Sequence, residues 1–321
     1  MTRNTGAIVG VAAFPFSTYT SDATIDKITA SLRASDLLAA ELLCLNNVLG
    51  KPRGGVPGYP SQERATKIGE KLQEFHVSIH GPYVISLTTT EKSRLRNSRA
   101  HMTICLRLGE RVGATHVTFH PGSRRSGRGV KQRVVTRLKE IVARCEEEEI
   151  SVMPAPEVAG KIVGFGSFEE MCEVASEVGC LFCWDVAHDF ARGGDVTTEK
   201  GLLRRLELIE KAIDLSRWRL PVHISGIWAG RRGEIRHAPL DEGSGTPWKL
   251  FLSVLKEQRF LDKVSMICES KSDERDDFDW RVEEALKLKT FIKSQKIEKD
   301  YEPARPLLTR FFSKTKDGES G

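Results

Sequence analysis

The chain has 321 residues, 40% apolar and 29% charged side chains, and a formal charge of +5, a composition that excludes a disordered tail or a fibre. The length accommodates one (β/α)₈ barrel, which takes about 250 residues. No run reaches the roughly 18 apolar residues that span a bilayer, and the N-terminus lacks the succession of a signal peptide, so a cytoplasmic location with no membrane partner is expected.

Short β-rich apolar runs alternate with charged segments of helical period, the pattern of repeated βα units around a parallel sheet. In chain order the expected strands are Ala7 to Phe14, Leu38 to Leu45, Val77 to His80, Thr115 to His120, Ile150 to Glu157, Cys180 to Asp185, Leu220 to Ile224 and Val264 to Glu269. The expected helices are Asp26 to Ala34, Ser61 to Phe75, Glu91 to Val112, Val130 to Glu148, Ser167 to Glu177, Glu199 to Asp214, Pro247 to Lys256 and Asp277 to Lys293. Eight of each predicts an α/β fold, a single TIM barrel over residues 1–295. A polar C-terminal tail, 296–321, is expected outside it.

The seven cysteines are scattered through apolar segments and read as reduced core residues. Cys180 and Cys183 have the spacing of a zinc knuckle. There is no second Cys pair, however, and residues three apart on a strand face opposite ways, which argues against a shared metal.

Active sites of such barrels form at the C-terminal strand ends. There the third to eighth strands end in or near His80, His120, Glu157, Asp185, His223 and Glu269. His188 follows Asp185 by about one helical turn, and His237 lies in the loop after the seventh strand. The other three histidines, His76, His101 and His116, read as incidental. Imidazoles mixed with carboxylates suit zinc or manganese, and more than four ligands imply more than one ion. Two ions sharing a carboxylate make an activated hydroxide available at neutral pH. Glu157, central in the strand order, is expected to be the bridge.

At these residues the sequence resembles the endonuclease IV family of zinc-dependent apurinic/apyrimidinic endonucleases. The resemblance rests on His80-Gly-Pro-Tyr83, Phe119-His120-Pro121-Gly122, Pro156-Glu157-Val-Ala159-Gly160-Lys161, Asp185-Val-Ala-His188, His223-Ile-Ser-Gly226 and Cys268-Glu269-Ser270, which occur in family order. It implies one zinc on His80, His120 and Glu157, and a second on Glu157, Asp185, His223 and Glu269. His188 and His237 would hold a third. The family places an aspartate two residues before that last histidine; Ile235 stands here, with Glu234 one residue further back. Two or three ions are therefore expected, with Glu157 and Glu269 as the catalytic carboxylates.

The resemblance further implies a substrate, an abasic nucleotide flipped out of duplex DNA. Hydrolysis 5′ to it would leave a 3′-hydroxyl and a 5′-deoxyribose phosphate. Tyr83 matches a tyrosine that the family inserts into DNA. Arg124 and Arg125, in the Gly-rich loop after the fourth strand, and Arg231 and Arg232, after the seventh, suit contacts with phosphate; Arg192 and Arg53 lie in further loops of that face. In the tail, Leu308, Phe311 and Phe312 resemble a box that binds the sliding clamp of DNA, with Arg305 in place of its usual glutamine. The alternative on the same scaffold is a metal-dependent sugar isomerase or epimerase, which needs fewer ligands.

Overall fold

A computed structural model describes residues 6–15, 21–46, 56–275 and 277–301. Arg53, Arg305, Leu308, Phe311 and Phe312, and with them the expected clamp box, lie outside the described residues. Eight parallel strands form one sheet: β1 Ile8–Pro15, β2 Ala39–Leu43, β3 His76–His80, β4 Ala114–Phe119, β5 Met153–Pro156, β6 Trp184–Asp185, β7 Leu220–Ile224 and β8 Val264–Cys268. Their spatial order is β5-β4-β3-β2-β1-β8-β7-β6. A parallel bridge between Glu157 and Cys183 joins the two edges. There Cys183 N donates to Pro156 O and Val158 N to Cys183 O, each at 3.0 Å. The sheet thus closes on itself, as the alternating pattern predicts.

The helices are α1 Asp22–Ala34, α2 Gln62–Leu72, α3 Lys92–Val112, α4 Val130–Glu147, α5 Phe168–Val178, α6 Val186–Ala191, α7 Glu199–Ala212, α8 Trp248–Glu257 and α9 Phe278–Lys293. Their starts follow local chemistry. Ser21, Ser61, Thr198 and Asp277 each cap with a side-chain oxygen, and Ser167 with Glu170 forms a reciprocal capping box. The Ser21 cap begins α1 four residues earlier than periodicity indicates. Leu220–Ile224 and Val264–Cys268 are buried along their whole length, as strands covered on both faces must be. No helix of the described residues is long and apolar enough to cross a membrane.

Three features differ from the expected elements. The sixth strand shortens to two residues because Asp185 turns the chain at once into α6, its side chain accepting from His188 N at 2.7 Å. The stretch after β7, expected as a loop, is an antiparallel hairpin of Gly226–Gly230 with Gly233–Ala238, turning at Arg231 and Arg232. Residues 296–301 are tied to the barrel: Glu298 N donates to Ser253 Oγ at 2.8 Å and the Tyr301 hydroxyl to Gly245 O.

Candidate metal centre

His80 ends β3, His120 follows β4, Glu157 follows β5, Asp185 ends β6, His223 lies in β7 and Glu269 follows β8. His188 comes from α6 and His237 from the hairpin. The barrel gathers all eight onto one mouth in overlapping groups. Ligand atoms of His80, His120 and Glu157 lie within 4.8 Å of one another. So do those of Glu157, Asp185, His223 and Glu269, and those of Asp185, His188 and His237.

Glu157 belongs to the first two groups, and its side chain is fully buried. Its Oε2 stands 3.2 Å from His120 Nδ1 and 3.4 Å from His80 Nε2; its Oε1 stands 3.0 Å from His223 Nδ1. Burial opposes its charge, but the rings of His120, His223 and His80 outweigh that and hold the carboxyl well below its ordinary value. Glu269 Oε2 lies 3.3 Å from His223 Nδ1 and 3.9 Å from His237 Nε2. Asp185 is less compensated, and burial pushes its carboxyl up to about 7.

Several ring orientations are fixed from behind. His80 Nδ1 donates to Gly81 O at 2.9 Å, which turns Nε2 to Glu157. His188 Nδ1 donates to Val158 O at 2.9 Å. These contacts set the tautomer and leave the other nitrogen with a lone pair. Glu157 Oε2, Asp185 Oδ2 and His188 Nε2 are buried without hydrogen-bond partners. Buried polar atoms are normally satisfied. A divalent cation supplies the positive partner that carboxylate oxygens and imidazole lone pairs both lack, so the donor set fits a metal centre of nitrogen and oxygen ligands.

Two residues here escape sequence reasoning. Glu41, in mid β2, is fully buried. It accepts from Ser78 Oγ at 3.0 Å and sits 3.3 Å from His223 Nε2. An acidic residue inside an otherwise apolar strand was its only signal. Cys183, set aside with Cys180, offers a ligand atom within 4.8 Å of those of Glu157 and His223. The bridge that closes the barrel turns it inward, and burial raises its thiol pKa.

Tyr83 is 50% exposed, its ring stacked on that of His120 at 5.1 Å and 13°. Arg125, Arg231 and Arg232 are exposed. Arg124 is exposed but paired with Glu170. Arg192 spends its guanidinium on the carbonyls of Ala159, Lys161 and Gly164, at 2.8, 3.1 and 3.4 Å, and so braces the loop after β5.

A family model described as xylose isomerase-like TIM barrel matches residues 40–294. The chain is 29% identical over 274 residues to an uncharacterized protein of Methanocaldococcus jannaschii, covering 84% of this chain and 94% of that one. It is 28% identical over 207 residues to an apurinic-apyrimidinic endonuclease of Caenorhabditis elegans, covering 60% of this chain. Because the match takes in 49% of that enzyme, the chain spans about half its length. Endonuclease IV from Thermus thermophilus superposes with a TM-score of 0.61 at 23% identity, covering 86% of this chain and 99% of that one. An L-ribulose 3-epimerase superposes with a TM-score of 0.60 at 13% identity, over 89% and 93%. The structural likenesses establish the fold.

Proposed function

This chain belongs to the xylose isomerase-like TIM barrel family, and on that premise we propose that it is a metal-dependent endonuclease acting on duplex DNA 5′ to an abasic site. The observation that carries the reading is Glu157: one buried carboxylate shared by two ligand groups, in a mouth that collects eight imidazoles and carboxylates. The resemblance to named apurinic-apyrimidinic endonucleases supports the substrate.

His80, His120 and Glu157 hold one ion; Glu157, Asp185, His223 and Glu269 hold a second. Bound zinc or manganese lowers the pKa of water and draws charge from a phosphoryl oxygen. The protein's own groups do the rest. Glu157 keeps the two ligand groups in fixed relation, and Glu269, reaching both His223 and His237, ties the centre to the hairpin. Tyr83, flat against His120, walls the mouth where an extrahelical sugar enters. The exposed Arg125, Arg231 and Arg232 neutralise phosphates flanking the scissile bond, a role that weakens with salt. Arg124 joins them by exchanging Glu170 for phosphate.

Incubation of the purified chain with a duplex carrying one abasic analogue tests the reading. Cleavage should leave a 3′-hydroxyl, vanish with chelator and return with zinc or manganese. Glu157→Gln should abolish cleavage and retain duplex binding. An intact duplex under all metals, with turnover of a ketose instead, would replace this reading with the epimerase one.

A further inference from the structure

The hairpin that carries His237 is irregular at one place. Trp228 pairs with Arg236 and Ala229 with Glu234, so Ile235 has no opposite residue and forms a β-bulge. Along a regular strand, Glu234 and His237, three residues apart, would face opposite sides; one extra residue between them restores both to the same side. Ile235 accordingly points to solvent, 64% exposed, whereas His237 is buried and the Glu234 side chain is only 19% exposed.

Glu234 Oε2 stands 3.5 Å from His188 Nε2. His188 Nδ1 faces the Val158 carbonyl, which can only accept, so that nitrogen carries the proton. Nε2 then presents a lone pair, buried and without a hydrogen-bond partner, to a carboxylate. Two electron-rich atoms at that distance repel unless a positive charge lies between them. Ligand atoms each about 2.1 Å from a tetrahedral ion stand about 3.4 Å apart. His237 lies alongside, its ring centroid 5.0 Å from that of His188; its Nδ1 pairs with Ser225 Oγ at 2.7 Å, which leaves Nε2 for a ligand.

The position of Glu234 is built in. Its backbone N donates to Gly160 O at 3.0 Å, and Lys161 bridges Gly233. Gly160 leaves the space both side chains need: a Cβ there would meet His188 Cδ2 at 2.5 Å and Glu234 Oε2 at 2.7 Å.

We propose that Glu234, presented by the bulge at Ile235, joins His188 and His237 to hold a third divalent cation. The inference rests on the metal-centre reading above and adds an ion to it. Its test is the zinc content of the full chain, saturated with zinc, desalted and measured by elemental mass spectrometry. Three ions per chain are expected, and two in Glu234→Ala. Adding Ile235→Asp to that variant should leave the count at two, because residue 235 faces solvent. Two ions in the native chain, as a plain His188–Glu234 ion pair would give, overturn the third site and leave the two-ion centre standing. Three ions persisting in Glu234→Ala overturn the role of Glu234. An absence of zinc from the native chain overturns both readings.

Discussion

Single side chains at the barrel mouth are arranged against their own desolvation. Burial opposes charge on His80 and His188, yet Glu157 beside the first and Asp185 with Glu157 beside the second carry both up to about 9 from an ordinary 6.5. Raised pKa values mean that the folded, metal-stripped chain holds protons which the unfolded chain releases. Their stabilising contribution is full below pH 6.5 and lost as pH rises through about 9. Stripped protein should therefore melt at lower temperature as pH climbs across that window. Zinc affinity should rise over the same window because ions replace those protons; melting curves with and without zinc check both signs. Glu41 gives a second expectation at this scale. A carboxylate behind a ligating imidazole fixes its tautomer, and losing one costs about 10- to 100-fold in metal affinity. Glu41→Gln should weaken zinc binding by that order in competition with a chromogenic chelator, and Glu41→Asp should recover part of it.

At the scale of elements, the strand ends were legible because ligand residues close runs of apolar strand formers, and the barrel fixes which end of each strand is the mouth. The hairpin after β7 was not read, although Gly230-Arg231-Arg232-Gly233 is a glycine-flanked two-residue turn between β-rich runs. The bulge within it depends on contacts with residues 160–162, some seventy positions away in the chain, which no local pattern encodes. The short helix α6 was missed for the opposite reason: Asp185 is both a ligand candidate and an N-cap, and only the first role was considered. That helix has its own anchor. Asp189 accepts from Arg205 Nε of α7 at 2.7 Å and from Trp184 Nε1 of β6 at 3.1 Å, all buried, and Arg205 lies over the Phe168 ring at 4.9 Å. Breaking a buried pair strands a charge at a cost of about 3–5 kcal/mol. Asp189→Ala should lower unfolding stability by that amount in urea titration and reduce zinc content by loosening His188.

For the whole molecule, composition and alternation specified the barrel, and closure through Glu157 and Cys183 couples the fold to the site. The residue proposed to link two ions also belongs to the bridge joining the sheet's edges. Metal binding should therefore stabilise the whole chain, adding about 4 kcal/mol when free zinc exceeds its dissociation constant a thousandfold. Chelation should lower the melting temperature of the barrel as one cooperative unit. The most direct test is a crystal structure of the zinc-loaded chain with anomalous data at the zinc edge. The account predicts two strong peaks flanking the Glu157 carboxylate, one toward His80 and His120 and the other toward Asp185, His223 and Glu269. Zinc found elsewhere, or a Glu157 carboxylate touching no metal in a crystal that contains zinc, would contradict it.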